Sequence, residues 1–439
     1  MYPAVWCLLS IVLLVLTPVN ALAEDGNKIK KFLTKPLVIE DQGSFFIGGV
    51  PKVTEYATAP TPNNPNPGNA PNQIMIGQMY VQFQIPARKA PKVPPVIMVH
   101  GSSHTAACLE STPDGREGWA PYFVRHGIST YIVDQAGRGR SGFDESVVLE
   151  GAAMIRSGDT EKGLARIPGF GRITDNGAWT SWFGHLVPPG STILTGTLIR
   201  HGDPGDPQTA EAHGDKYHPA YPIAAVDQNV VVRSAAIDKA PAGPNNYYAL
   251  EYYKQLVPNA EVTLPGSTCA SCDPKELSPA NTWTPQDMAL LVERLGSAVV
   301  ATHSQSGIMG HHMLRILKDR GHLNMVKALI TIEGSCSLPN SGLQVEDFDN
   351  IPYLALKGDY TATSEVCQTT VDAINARRAA GKGTAKAEYI KLDELDNPIF
   401  NGTTHMMMLG TNNLDVAGVI LKWVDANVTA KSKAGSGRK

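Results

Sequence analysis

Apolar and polar positions along this chain follow two rhythms, and the points where one replaces the other outline a fold. Residues 44–49 (SFFIGG) and 79–85 (MYVQFQI) alternate or cluster as strands do, and the Pro/Asn-rich stretch 59–72 between them reads as an irregular loop, so the two are expected to pair antiparallel. Residues 95–101 (PVIMVHG) and 129–134 (STYIVD) are short apolar runs without alternation, as strands buried on both faces require. Residues 119–126 fit a helix linking them. A glycine-rich loop, QAGRGRSG at 135–142, follows Asp134, and regular alternation then stops. It resumes at Thr284, where Thr is expected to cap a helix, Pro285 to take its first position and Asp287 to face its dipole, with the helix ending near Gly296. Val299 and Val300 read as a buried strand, and 308–317 carries apolar residues at helical spacing. Further strand-like runs lie at 328–332, 353–356 and 388–392, before an amphipathic helix over 414–424.

Strands separated by helices predict an α/β protein: a mostly parallel twisted sheet with helices on both faces and ligands at the carboxyl ends of the strands. The break in alternation predicts a large insertion after the fourth strand. The expected organisation is a leader at 1–23, a first part of the core at 24–142, the insertion at 143–281 and a second part of the core at 282–439. The insertion holds Trp179, Trp182, Phe183, Tyr217, Tyr221, Tyr247, Tyr248, Tyr252 and Tyr253. It reads as a cap over an active site, pointing to a bulky or aromatic ligand. Its His201, His213 and His218 stand among Gly, Pro and Asp and read as solvent-exposed side chains, not metal ligands.

The amino end changes the picture of where the protein works. An apolar run from Val5 to Leu16, a break at Thr17-Pro18 and the small-x-small pattern Ala21-Leu22-Ala23 form a signal peptide with cleavage expected after Ala23. The run is too short for a membrane span, so a secreted or periplasmic protein without a stable membrane anchor is expected. Net charge of −3 and the lack of a basic stripe argue against a nucleic-acid partner, and 42% hydrophobic with 18% charged residues is a globular composition.

Loss of the leader removes Cys7 and leaves Cys108, Cys269, Cys272, Cys336 and Cys367, an odd number in a compartment that permits disulfides. Cys336 and Cys367 each follow a predicted core strand and are paired first; Cys269 and Cys272 are candidates for a small local bridge. No second C-x-x-C or nearby H-x-x-x-H completes a zinc set, so no metal or other cofactor is expected.

Candidate chemistry centres on SAVVATHSQSG at 297–307, where a buried strand turns abruptly into a helix and presents a serine at the crest. Residues two before and two after such a nucleophile must be small. Ser304 is flanked by Thr302 and Ser306, whereas Ser306 would be flanked by Ser304 and the bulky Ile308, so Ser304 is the candidate nucleophile. A serine needs a base, and the base an orienting anion. Glu333 follows the 328–332 run, Asp359 follows the 353–356 run, and His405 lies after the last strand in NGTTHMMM at 401–408. Either acid satisfies the pattern. His100 and His303 adjoin motif residues, and His311 and His312 lie on the helix behind the serine, which leaves His405 the best-placed base. An oxyanion hole needs two backbone N–H donors. Gln305 supplies one, and the turn after His100-Gly101 the other, through Ser102 or alternatively Ser103.

With these residues in place, the chain resembles the α/β-hydrolase superfamily and, more narrowly, the exported esterases of the esterase 713-like group. The resemblance runs through QGSFFIGG at 42–49, His100-Gly101 ahead of Gly118-Trp119, DQAGRGRS at 134–141, Ile332-Glu333 and THMMM at 404–408. It implies an ester hydrolase with a small-molecule ester substrate, a Ser-His-Glu triad and an acyl-enzyme intermediate, which selects Glu333 over Asp359. Members of the group carry adjacent cysteines beside the oxyanion turn, where this chain has Ser102-Ser103. Other outcomes compatible with these residues are an amide, lactone or carbon–carbon bond hydrolase, and a catalytically silent binding protein on the same fold.

Overall fold

The computed structural model describes residues 32–33, 35–58, 71–90, 93–167, 171–183, 185–186, 198–199, 247–258, 283–358, 363–400 and 402–429. The expected leader, the Cys269/Cys272 pair, Asp359 and His201, His213 and His218 lie outside these residues. In chain order the strands are β1 (Ile39–Thr54), β2 (Asn72–Pro86), β3 (Val96–Val99), β4 (Thr130–Asp134), β5 (His185–Leu186), β6 (Leu198–Ile199), β7 (Ala298–His303), β8 (Val326–Ile332), β9 (Tyr353–Lys357) and β10 (Ala387–Lys391). Eight of them form one sheet in the order β1-β2-β4-β3-β7-β8-β9-β10, and β5 pairs with β6 alone. The ladders β1/β2 and β2/β4 are antiparallel, and every pairing from β4 across to β10 is parallel.

The helices are α1 (Ala107–Glu110), α2 (Trp119–Arg125), α3 (Ser146–Arg156), α4 (Thr160–Arg166), α5 (Asp175–Trp182), α6 (Tyr247–Lys254), α7 (Trp283–Leu295), α8 (Ser306–Asp319), α9 (Glu365–Ala379) and α10 (Asn413–Val424). Helices α3 to α6 and the β5/β6 pair fall in the segment between β4 and α7, where the described residues show no regular alternation of strand and helix.

The central strands read as unbroken apolar runs because both of their faces are covered. Val96, Met98, Val299, Ala301, Ile330 and Leu354 point into one core with Trp119 and Phe123 of α2 and Val416 and Ile420 of α10. Ile97, Val99, Val300, Leu329 and Ala355 point the other way, onto Leu291 of α7, Met309, Met313 and Leu317 of α8 and Val371 of α9. Strand side chains alternate between faces, so neighbouring residues serve different cores. Each fully buried aliphatic side chain contributes about 1.5–3 kcal/mol.

Two local expectations change. The β1/β2 hairpin extends to Thr54 opposite Asn72, well past the apolar segments, because backbone pairing at a solvent-facing edge carries polar side chains at little cost. Gly77 within it has φ +73, and a Cβ there would lie 2.6 Å from the Trp283 ring, so only glycine lets the hairpin sit against α7. Thr284 does not cap its helix. α7 begins at Trp283, and the Thr284 hydroxyl accepts the Ala136 N–H at 3.0 Å, tying the helix to the glycine-rich loop. Asp287 is buried, its carboxylate packed against Gly48.

Candidate active site

β7 ends at His303, and the chain reverses through Ser304, at φ 55, into α8. A left-handed serine stores strain, and the surrounding bonds hold it there. Ser304 N–H donates to Ile332 O at 2.9 Å, and Ser304 O accepts Gly307 N–H at 3.0 Å. The two candidate serines differ in what their hydroxyls do. Ser306 is fully buried; its Oγ accepts His303 N–H at 2.9 Å and lies 3.0 Å from Val99 O, so it fastens α8 to the sheet. Ser304 is half-buried.

The tightest packing of the turn falls one residue later than the flanking-size argument anticipates. A Cβ on Gly307 would lie 2.8 Å from Ser335 N and 2.9 Å from Gly334 Cα, whereas Thr302 and Ser306 are accommodated. The signal for this was a glycine on the inner face of the first helical turn.

Glu333 follows β8 with φ 43, its N–H donating to Leu356 O at 2.8 Å. That kink turns its carboxylate toward the loop after β10. Glu333 Oε2 lies 2.5 Å from His405 Nδ1, and Oε1 accepts Gly358 N–H at 2.6 Å. The Glu333 side chain is 1% exposed and that of His405 10%, so water competes little for this contact. His303 packs its ring 4.7 Å from that of His405 and donates from Nε2 to the His405 carbonyl at 2.8 Å. Burial, with His405 nearby, holds His303 well below the ordinary histidine range and therefore neutral. Ser304, Glu333 and His405 are thus linked through one cluster: Ser304 follows His303 in the chain and bonds the residue before Glu333.

The turn after β3 rests on the elbow, since a Cβ on Gly101 would lie 2.9 Å from Ser304 Cβ. Ser103 there has φ 58. Among the described residues, the non-glycine positions with positive φ are Ser103, Ser304 and Glu333, all within this cluster. The Ser102, Ser103 and Gln305 N–H groups make no hydrogen bond among those of the described residues. His104 donates from Nδ1 to Ser102 O at 2.6 Å and accepts the Tyr252 hydroxyl at Nε2 at 3.0 Å. Burial lowers His104 to about 3, consistent with this neutral tautomer. The Trp182 ring lies 4.9 Å from His104, and Val257 N–H donates to Ser103 O at 2.9 Å. Described parts of the segment between β4 and α7 therefore rest directly on this turn, through a His104–Tyr252 contact that no sequence motif marks.

A disulfide joins Cys336 to Cys367, tying the loop after Glu333 to the start of α9, and Cys108 is a buried free thiol. Among the described residues no group of three or more His, Cys, Asp or Glu is placed to hold a metal ion. No helix among them is long and apolar enough to cross a membrane.

No family model matches the chain. A curated "Probable secreted lipase phiG" from a fungal species (strain ATCC 74256) is 23% identical over 390 residues, covering 79% of this chain and 85% of the lipase. Among solved structures, that of "a Novel Bacterial Esterase" superposes with a TM-score of 0.63 at 26% identity, covering 91% of this chain and all of the esterase. Likeness on that scale, over 91% of a chain built on a mostly parallel eight-stranded sheet, makes this chain an α/β-hydrolase.

Proposed function

We propose that this protein is a secreted or periplasmic serine hydrolase that cleaves carboxylic esters, with Ser304 as nucleophile, His405 as base and Glu333 as the orienting acid. The observation that carries the reading is the Glu333–His405 contact beside the Ser304 elbow. With Nδ1 donating to the carboxylate, Nε2 of His405 is the basic nitrogen. It removes the hydroxyl proton as Ser304 Oγ attacks the ester carbonyl. The tetrahedral oxyanion is held by the Gln305 N–H and by that of Ser102, with Ser103 as the alternative donor. Collapse expels the alcohol, which takes the proton from His405 and leaves an acyl-Ser304. Water then gives a proton to His405 and attacks the acyl carbon, releasing the acid and restoring the serine. The Glu333 carboxylate stabilises the imidazolium in both halves.

The likeness to a bacterial esterase and a secreted lipase supports ester hydrolysis and export. We take residues 143–281 as a cap, supported by the contacts of Trp182 and Tyr252 with the oxyanion turn, and residues 1–23 as the leader.

Ser304→Ala tests the reading. Hydrolysis of a short-chain nitrophenyl ester is expected to disappear with the thermal midpoint retained, and undiminished activity would overturn it. Amide and lactone substrates assayed beside the esters decide among the chemistries open to such a triad.

A further inference from the structure

The glycine-rich loop after β4 places Arg138 in the interior, with 1% of its surface exposed. A guanidinium has five N–H donors in a rigid planar fork, and burying it is costly enough that it is weak evidence for stability alone. Here the two arms of the fork reach two different turns. Nη1 donates to Gly101 O at 3.0 Å, and Nη2 donates to Gln305 Oε1 at 2.6 Å.

Gly101 O belongs to the peptide group whose N–H is that of Ser102. A trans peptide is planar, and its C=O and N–H point in opposite directions, so fixing the oxygen fixes the line along which the amide points. His100 completes the hold. Its Nε2 accepts Gln135 N–H at 3.0 Å, which leaves the ring proton on Nδ1, 2.8 Å from Gly101 O. Burial and the Arg138 charge lower His100 to about 4 and keep it in that neutral form. Both lone pairs of Gly101 O are then engaged. The other arm of Arg138 anchors the side chain of Gln305, the residue that contributes the second amide.

We propose that Arg138 is the positioning residue of the oxyanion hole, clamping Gly101 O and Gln305 Oε1 so that the Ser102 and Gln305 amides converge on one point. The inference rests on the Ser304 reading above. The two amides come from turns after different strands, β3 and β7, and the guanidinium sets the distance between them. A cationic donor on Gly101 O also polarises that peptide and strengthens its N–H as a donor. Because the oxyanion exists only in the transition state, the clamp acts on kcat and not on substrate affinity.

The experiment compares wild type with Arg138→Met, which keeps length and loses the donors, Arg138→Lys, which keeps charge and loses the fork, and Gln305→Met, which frees one arm. Active sites are counted by stoichiometric labelling of Ser304 with a fluorophosphonate, and kcat per titrated site and KM are measured on a nitrophenyl ester. Arg138→Met is expected to lower kcat per site about 100-fold with KM within about twofold, the size of losing one oxyanion donor. Affinity for an alkyl boronic acid, which forms a tetrahedral adduct on the serine, should fall in parallel, and Arg138→Lys should restore only part of both. A merely structural role would reduce the titrated fraction and leave kcat per site unchanged. That result overturns the inference, as does a loss carried by KM. Should Arg138→Met not fold, Gln305→Met, at a half-buried position, decides alone: about a tenfold loss of kcat per site supports the clamp, and an unchanged value sinks it. Ser304→Ala separates the two claims, since activity in that variant removes the triad reading itself, whereas an inactive Ser304→Ala beside a fully active Arg138→Met removes only the role of Arg138.

Discussion

Nδ1 of His405 lies 2.5 Å from Oε2 of Glu333, and the other carboxylate oxygen of Glu333 is taken by the Gly358 amide at 2.6 Å. The Glu333 carboxylate is therefore held at both oxygens, one by the His405 ring and one by the end of β9. Glu333→Gln preserves shape but offers the ring an amide in place of a carboxylate, losing the tautomer and the stabilisation of the imidazolium. A fall in kcat of about 10³- to 10⁴-fold is expected, with the thermal midpoint nearly unchanged. Asp359→Asn at matched stability is the control. If that variant alone were crippled, the acid would have been misassigned.

The Cys336–Cys367 bridge closes a loop of 31 residues between the segment after Glu333 and α9. Constraint of the unfolded chain by a loop of this size is worth about 3.7 kcal/mol. Cys336→Ser should lower unfolding free energy by that amount in urea titrations. Reductant should reproduce the loss in wild type and add nothing to the variant. A change below about 1 kcal/mol would show that the bridge leaves the unfolded ensemble essentially unconstrained.

Four buried imidazoles make the fold acid-sensitive. Burial lowers His100 to about 4, His104 and His311 each to about 3, and His303 well below its ordinary value. The ordinary value in the unfolded chain is about 6.5. As pH falls from 6.5 toward 4, the unfolded chain takes up protons that the folded chain refuses, so stability is greatest above pH 6.5 and declines below it. Each such group contributes up to about 1.4 kcal/mol per pH unit in that window. Denaturant titrations at pH 8, 6.5 and 5 should show little change over the first interval and a steep drop over the second. His311 has no hydrogen bond at either ring nitrogen and sits 6.0 Å from the Tyr353 ring, so His311→Leu should shallow the slope. A flat profile between pH 6.5 and 5 would mean that these rings gain protons while the protein stays folded.

Some elements were legible because their cause is local. The apolar runs of β3, β7, β8 and β9 are long enough for strands and too uninterrupted for a half-exposed sheet. α10 carries its own amphipathic pattern to within a residue of its ends. The β1/β2 hairpin was harder to bound, since its outer halves are held by backbone pairing that polar side chains do not betray. Thr284 misled for a related reason: Ser, Thr and Asp before an apolar run resemble a cap whether their oxygens turn to the helix or, as here, to a neighbouring loop.

In the candidate site, the order of serine, acid and histidine could be read along the chain. Which acid meets His405 could not, because Glu333 and Asp359 each follow a strand-like run; Glu333 reaches the ring through a kink at φ 43 that no local pattern announces. Nor could the contacts of His104 with Tyr252 and of Arg138 with the two turns be read, since those partners lie far away in the chain.

The chain by itself determined the alternation of strand and helix, the break after β4 and the serine at an abrupt strand-to-helix turn, all properties of short segments whose periodicity and bulk act within a few residues. Only the tertiary structure showed that the Glu333 carboxylate meets the His405 ring, that Ser306 is tied down in the sheet, and that buried Arg138 spans the two turns. Hydrogen-bond geometry between groups tens or hundreds of residues apart depends on differences of an ångström, which the packed sheet sets and no local pattern encodes.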